Sequence, residues 1–182
     1  DYIVSGASGT FVDGGKGFNT LSYLDQGGEQ GVMVDAGKGY ATNTFGNADS
    51  FANIQKVIGS YFSDELHASG EGSVLDGNDG DDVLIGREGK DLLFGGGGND
   101  KIIGGTEDGD NRIGQGDTMV GGYGDDYIDG GEDGYNIVDY SLDGGARAVS
   151  VNMATGLAED SWGTIDTLVN ICLLYTSPSP RD

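Results

Sequence analysis

The chain has 182 residues, and its 31 Asp and Glu against 9 Lys and Arg give a formal net charge of −22. This charge argues against a nucleic-acid partner, whose phosphates would be repelled. No stretch approaches the roughly eighteen apolar residues of a membrane-spanning helix. Composition alone favours disorder, because carboxylate repulsion opposes collapse and there is little apolar surface to bury. The alternative is a divalent cation that neutralises the carboxylates.

Residues 1–58 are predicted to form a degenerate repeat followed by a linking β module. The segment GGKGFNTLS, at 14–22, is a degenerate copy of the nonapeptides that follow it. Further on, Val32, Met33 and Val34 alternate with the period of a β-strand. Glycine-rich turns bound this segment, so the sequence predicts a short β-hairpin rather than a helix.

Residues 59–129 contain nonapeptides of the form G-G-x-G-x-D-x-U-x, where U is a large apolar residue. Five copies run without a gap and read GSYFSDELH, ASGEGSVLD, GNDGDDVLI, GREGKDLLF and GGGGNDKII. A further complete copy, GGYGDDYID, spans 121–129. The sixth position is occupied by Asp64, Ser73, Asp82, Asp91, Asp100 and Asp126. A flexible Gly/Asp-rich linker has no reason to carry Leu or Ile at the eighth position of each nine-residue unit.

The nonapeptide has a structural interpretation. Its glycines permit the positive φ angles of a tight loop with inward carbonyls. Its last three residues form a minimal strand that points only the middle side chain inward. Each loop reverses the chain, so two nonapeptides complete one turn and loops eighteen residues apart stack. The stacking predicts a column of Asp64, Asp82 and Asp100 at the strand spacing of about 4.8 Å.

Carboxylates stacked at that spacing repel one another unless a cation lies between them. Loop carbonyls would then complete a shell of oxygens around the cation. A shell of about six to eight oxygens without Cys or His is the preference of Ca²⁺ rather than of zinc. The sequence therefore predicts several calcium ions.

The repeat resembles the RTX, or haemolysin-type, calcium-binding nonapeptide. The resemblance implies an all-β fold, namely a parallel β-roll flanked by short β-hairpin linking modules, with Ca²⁺ between the loops. It implies ligands at Asp82 and Asp100 first, and then at Asp91 and Asp126. The remaining members of the predicted metal-binding set are Asp64, Gly77, Asp79, Gly95 and Gly97.

The resemblance also implies a cellular context. Proteins with such repeats leave Gram-negative bacteria by type I secretion, so we expect an extracellular protein whose partners include calcium and the type I secretion machinery. The C-terminal signal for that machinery is not found in this sequence. No catalytic constellation is present, since His67 is the lone histidine and no G-x-S-x-G motif occurs. A large RTX adhesin that binds carbohydrate or a cell surface, and an RTX hydrolase or toxin with its catalytic domain elsewhere, remain alternatives.

Some copies depart from the motif. Ser73 replaces the sixth-position Asp, which predicts a weak or empty site. The loop GSYFSD lacks two motif glycines, which weakens the prediction for Asp64. Between residues 104 and 120 the repeat register slips by one, so we expect a bulged or looped-out turn there. Asp108 and Asp117 are equally good candidates for metal binding in that stretch.

Residues 130–171 are predicted to form a second, truncated linking module. Residues 19–54 align without gaps on 136–171 at a constant offset of 117, with 12 of 36 pairs identical. Tyr23, Phe45 and Trp162 occupy positions that are aromatic in both copies. Core packing is their expected role, and sugar stacking is the alternative.

Residues 172–182 resemble the translation of a sequencing adapter. This segment contains the only Cys and both Pro of the chain. We therefore leave it out of the fold prediction. The long repeat breaks off at its start, and we expect the natural protein to continue into another nonapeptide block.

Overall fold

The computed structural model describes residues 1–25, 27–105, 116–131 and 135–176. Within them the chain forms short β-strands and one 3-10 turn at Tyr140–Leu142. Most strands have three residues, because each nonapeptide leaves three residues after its six-residue loop. The strands are β1 (Tyr2–Val4), β2 (Phe11–Asp13), β3 (Thr20–Ser22), β4 (Met33–Asp35), β5 (Tyr40–Thr42), β6 (Ala48–Ala52), β7 (Lys56–Ile58), β8 (Glu65–His67), β9 (Val74–Asp79), β10 (Val83–Ile85), β11 (Leu92–Gly97), β12 (Lys101–Ile103), β13 (Thr118–Tyr123), β14 (Tyr127–Asp129), β15 (Ile137–Asp139), β16 (Ser150–Asn152), β17 (Leu157–Glu159), β18 (Ile165–Val169) and β19 (Leu173–Tyr175).

The strands of the described residues form two sheets. One has the order β1-β3-β7-β9-β11-β13-β15-β19 and is parallel throughout. The other has the order β16-β17-β18-β14-β12-β10-β8-β4-β5-β6-β2. Consecutive nonapeptide strands alternate between the sheets, as a flattened coil requires. The predicted parallel β-roll is therefore confirmed.

The register of the roll repeats every two nonapeptides. Leu84 of β10 lies beside Leu66 of β8 on one side and Ile102 of β12 on the other, each eighteen residues away. These eighth-position side chains are fully buried between the sheets. The other sheet has a matching column of buried side chains, namely Leu75, Leu93 and Met119. The nonapeptide period therefore builds the core of the roll.

One turn of the nonapeptide block is longer than its neighbours. β11 pairs with β13 so that Leu92 lies beside Thr118, 26 residues on, whereas Leu92 lies 18 residues from its other partner, Val74. The parallel register of these strands is the same on both sides of the longer turn. The predicted looped-out turn falls largely on residues 106–115, which lie outside the described residues, so it stays a prediction. Asp108 falls outside the described residues.

Each linking module adds three antiparallel strands, one more than the predicted hairpin. In the first module β4, β5 and β6 pair in succession, and β4 joins the roll by parallel pairing with β8. In the second module β16, β17 and β18 pair in the same way, and β18 joins the roll at β14. Both modules therefore extend the second sheet of the roll directly.

The adapter-like tail also contributes a strand. β19 pairs in parallel with β15 and stands 117 residues after β7, its counterpart in the first module. Leu174 packs against the core, as Val57 does in β7. Our sequence prediction left this segment out, but the sequence Leu-Leu-Tyr has the apolar pattern that this strand position accepts. In the described part of the chain, no helix is long and apolar enough to cross a membrane.

Candidate calcium sites

The sixth-position side chains of the nonapeptides lie inside the roll, at the end of each loop and next to the core strand. The position is polar in every copy, yet each of these side chains is at most 6% exposed. Burying ionised carboxylates without compensation is very unfavourable. The fold must therefore supply partners for them.

On one side of the roll, a ladder of backbone N–H groups supplies a hydrogen-bond partner for one oxygen of each carboxylate. The backbone N–H of Asp64 donates to Oδ1 of Asp82, at 2.7 Å. The N–H of Asp82 donates in turn to Oδ1 of Asp100, at 2.9 Å, and that of Asp100 to Oδ1 of Asp126, at 2.8 Å. The column predicted from the eighteen-residue spacing is present, and Asp126 joins it across the longer turn.

A second ladder runs along the other side. The N–H of Ser73 donates to Oδ1 of Asp91, at 2.5 Å, and the N–H of Asp91 to Oδ1 of Asp117, at 2.7 Å. The N–H of Asp117 donates to Oδ1 of Asn136, at 2.8 Å. Asp117, one of the two open candidates of the irregular stretch, therefore occupies a column position. Ser73 and Asn136 bound the Asp91–Asp117 pair, so this ladder has fewer carboxylates than the first.

In three aspartates of the first ladder, the second carboxylate oxygen has no protein partner. Oδ2 of Asp82, of Asp100 and of Asp126 is buried and accepts no hydrogen bond. Leaving a buried polar group without a hydrogen-bond partner costs about 1–3 kcal/mol, and the cost is higher when the group is charged. These oxygens are therefore available to a cation.

The first glycine of each loop places a carbonyl oxygen beside this carboxylate oxygen. A Cβ added at Gly95 would collide with Oδ2 of Asp100 and would lie 2.6 Å from the carbonyl oxygen of Gly121. A Cβ at Gly77 would likewise collide with Oδ2 of Asp82 and lie 2.6 Å from the Gly95 carbonyl oxygen. Only glycine leaves this space clear. The motif glycines thus bring together oxygens from two successive turns.

The buried carboxyls have raised pKa values in the polypeptide alone. Burial raises the pKa of Asp82 to about 8, and the neighbouring carboxylates of Asp64 and Asp100 add to the effect. Burial also raises the pKa of Asp100 and of Asp126 to about 7. Either a bound proton or a bound metal ion offsets the desolvation of these carboxylates and the repulsion between them.

Asp64 differs from the other members of its column. Its Oδ2 accepts the N–H of Ser60 at 2.5 Å, and its Oδ1 accepts both the Ser60 hydroxyl at 2.7 Å and the N–H of Val32 at 2.7 Å. Ser60 stands where the motif has glycine. Both oxygens of Asp64 therefore have protein partners, which agrees with the weaker prediction made for this loop.

Two predicted residues lie away from the unpaired oxygens. Asp79 stands at the exposed end of β9. A Cβ at Gly97 would come closest to Oδ1 of Asp79, at 3.2 Å, rather than to a buried carboxylate. The structure therefore groups Asp82, Asp100 and Asp126 with Gly77 and Gly95 and leaves Asp79 and Gly97 outside that group.

The sequence prediction missed one member of the first ladder. The N–H of Asp126 donates to Oδ1 of Asp166, at 3.0 Å, so the linking module continues the column. No nonapeptide surrounds Asp166, and the repeat pattern gave no reason to include it. The signal that could have found it is its identity with Asp49 in the long repeat.

The donor set fits calcium. Across the described ranges, no group of three or more His, Cys, Asp or Glu side chains is placed to hold a metal by itself. A cation between two turns would meet both carboxylate oxygens and loop carbonyls, since the carbonyl of Gly121 lies near the Asp100 carboxylate. An all-oxygen set of this kind is typical of Ca²⁺.

Residues 58–93, 76–109 and 114–133 match the family model described as RTX calcium-binding nonapeptide repeat (4 copies). No curated protein matches the chain. The matched segments contain the stacked, buried aspartates of the first ladder from Asp64 to Asp126. The chain therefore contains RTX calcium-binding nonapeptide repeats. Repeats of this family bind Ca²⁺, form a non-catalytic structural module and are typical of secreted bacterial proteins.

We predict that Gly95→Ala weakens calcium binding about tenfold or more, because overpacking of this kind typically costs about 1–3 kcal/mol. The added methyl group would occupy the space between the Asp100 carboxylate and the Gly121 carbonyl. Calorimetric titration of the full chain measures the change. Gly97→Ala is the matched control and should have a much smaller effect. Equal effects of the two substitutions would contradict this assignment.

We also predict that, in a chelator, the free energy of unfolding falls as pH rises. The folded pKa of Asp82 lies near 8, above its ordinary value of 3.8, so the folded state retains a proton that the unfolded state releases. The resulting stabilisation is complete below about pH 4 and is lost as pH rises through 7 to 8, at up to about 1.4 kcal/mol per pH unit for each such carboxyl. Far-UV circular dichroism of the full chain in the chelator, at pH 5.5 and 8.5, measures this as the strand content that remains, and more strand content at pH 8.5 would refute it.

Proposed function

We propose that this chain is a calcium-dependent structural module of a secreted bacterial protein, which folds when it meets extracellular calcium after type I secretion. The observation that carries the proposal is the set of buried, unpaired Oδ2 atoms of Asp82, Asp100 and Asp126. These atoms make the folded roll costly without a cation and stable with one.

Coupled folding follows from this cost. The chain carries a net charge of −22, and folding stacks carboxylates at strand spacing. At roughly micromolar or lower calcium, as in the cytosol, repulsion and desolvation favour an unfolded, export-competent nonapeptide block. At about millimolar calcium outside the cell, the ions bind only the folded form and their binding free energy becomes folding free energy.

The ions would be held between successive turns of the roll. In the first ladder the ligands would be the carboxylates of Asp82, Asp100 and Asp126, together with the loop carbonyls of Gly95 and Gly121. In the second ladder Asp91 would act with Asp117. Bound Ca²⁺ supplies positive charge to oxygens that have no protein donor, and the protein supplies their spacing.

An adhesin is the second candidate, and one exposed aromatic pair favours it. Trp162 is 43% exposed and Tyr123 is 58% exposed, and their rings meet edge to face with centroids 5.7 Å apart. The indole Nε1–H of Trp162 donates to the Asp143 carbonyl at 2.9 Å, which fixes the ring. Tyr23 is fully buried and cannot stack on a sugar. Glycan-array binding by the full chain that is lost in Trp162→Ala but retained in Phe45→Ala would support the adhesin, and no binding would contradict it.

The main proposal predicts that calcium increases the strand signal of the full chain in circular dichroism, and that a chelator reverses this increase. Asp100→Asn should raise the calcium concentration at the midpoint roughly tenfold or more, because it removes a ligand charge at the centre of the column. Asp79→Asn is the matched control, since Asp79 is exposed, and should shift the midpoint little. A strand signal that the chelator leaves unchanged would refute the proposal.

A further inference from the structure

The buried carboxylates of the described residues fall into two groups. Three in the nonapeptide block, Asp82, Asp100 and Asp126, use Oδ1 for the ladder and leave Oδ2 without a protein partner. Those in the linking modules are also buried, yet hydroxyl, backbone N–H or guanidinium groups reach both of their oxygens. Asp64, in the first nonapeptide, has partners on both oxygens as well, so the contrast begins at Asp82.

In the second module a tyrosine hydroxyl completes the column. Asp166 is fully buried and accepts the N–H of Asp126 with Oδ1. Its Oδ2 accepts the Tyr140 hydroxyl, at 2.7 Å. Asp166 thus makes the same ladder bond as Asp100 does, but a hydroxyl occupies the position at which Asp100 has no donor.

The other buried carboxylates of the second module have similar partners. Asp143 accepts the N–H of Gly122 at 3.0 Å and the hydroxyl of Ser161 at 2.7 Å. Asp160 accepts three backbone N–H groups of the following turn and the hydroxyl of Thr164, at 2.6 Å. This module therefore needs no cation to satisfy these oxygens.

The first module has the same arrangement. Asp49, the counterpart of Asp166, accepts the N–H of Thr10 at 2.8 Å and the Ser5 hydroxyl at 2.6 Å. Asp35 forms a bidentate pair with the guanidinium of Arg87, at 2.8 and 2.9 Å, and because Arg87 belongs to the nonapeptide block this pair joins the module to the block. This pair holds the pKa of Asp35 well below its usual range.

We propose that protein hydroxyls take the place of calcium in the linking modules, so that these modules keep their structure without calcium and only the nonapeptide block between them depends on the ion. The inference rests on the proposed function and narrows it. It assigns the calcium response to residues 74–129. The modules on either side of that block are then already folded when the ions bind.

This division gives folding a starting point. In repeat proteins, folding nucleates at one unit and propagates through nearest-neighbour interfaces. β4 of the first module offers its edge to β8, and β18 of the second module pairs with β14. Turns of the roll can therefore add to either module as ions bind. The first turn then has a neighbour to pair with and does not have to form in isolation.

Hydrogen–deuterium exchange of the full chain, with calcium and with a chelator, tests the inference. We expect peptides within 33–52 and 150–169 to keep their protection in the chelator, and peptides within 83–103 to lose it at least about tenfold. Equal loss in all peptides would overturn the inference and leave the proposed function standing. Unchanged protection in all peptides would overturn both.

The hydroxyl at Tyr140 can be tested separately. Tyr140→Phe should lower the protection of 150–169 in the chelator, because Oδ2 of Asp166 then loses its donor. Tyr127→Phe is the matched control, since Tyr127 points outward from β14 and is 37% exposed. Adding Asp166→Asn to Tyr140→Phe should restore protection by removing the charge. If Tyr140→Phe behaves like the control, or if the double variant is no better than Tyr140→Phe alone, the inference is overturned.

Discussion

Successive turns of the roll are joined by a carboxylate with two different roles. Its first oxygen accepts the backbone N–H of the preceding turn, as Asp100 does from Asp82. Its second oxygen is buried with no protein donor. The first role fixes the distance between turns, and the second makes that distance unfavourable unless positive charge is present. The spacing of the turns and the proposed calcium dependence both follow from this side chain.

The glycines and the apolar positions serve this arrangement. Glycine at position one allows a carbonyl from the next turn to approach the carboxylate, as Gly121 does beside Asp100. The eighth-position residues, such as Leu84, are fully buried and form the core between the two sheets. That core alone is small for a chain with a net charge of −22. Under the proposed function, calcium binding would supply the stability that burial of apolar surface does not.

Much of this could be predicted because a strict period translates directly into register. The nine-residue repeat predicts strands, inward Leu84 and Ile102, and a column containing Asp82 and Asp100. The ladder itself was not predictable, because it joins a backbone N–H to a side chain eighteen residues away. Asp166 was missed because it enters the column from a module without the motif. Asp79 stays a prediction as a ligand, and the repeat pattern did not reveal that its side chain is exposed.

The most direct test is the anomalous scattering of calcium in crystals of the full chain grown with the ion. The account predicts anomalous peaks within about 2.3–2.6 Å of Oδ2 of Asp82 and of Asp100, the Ca²⁺–oxygen distance in proteins. It also predicts no peak between Asp166 and the Tyr140 hydroxyl. An ordered roll without calcium at the Asp82 and Asp100 carboxylates would contradict the account.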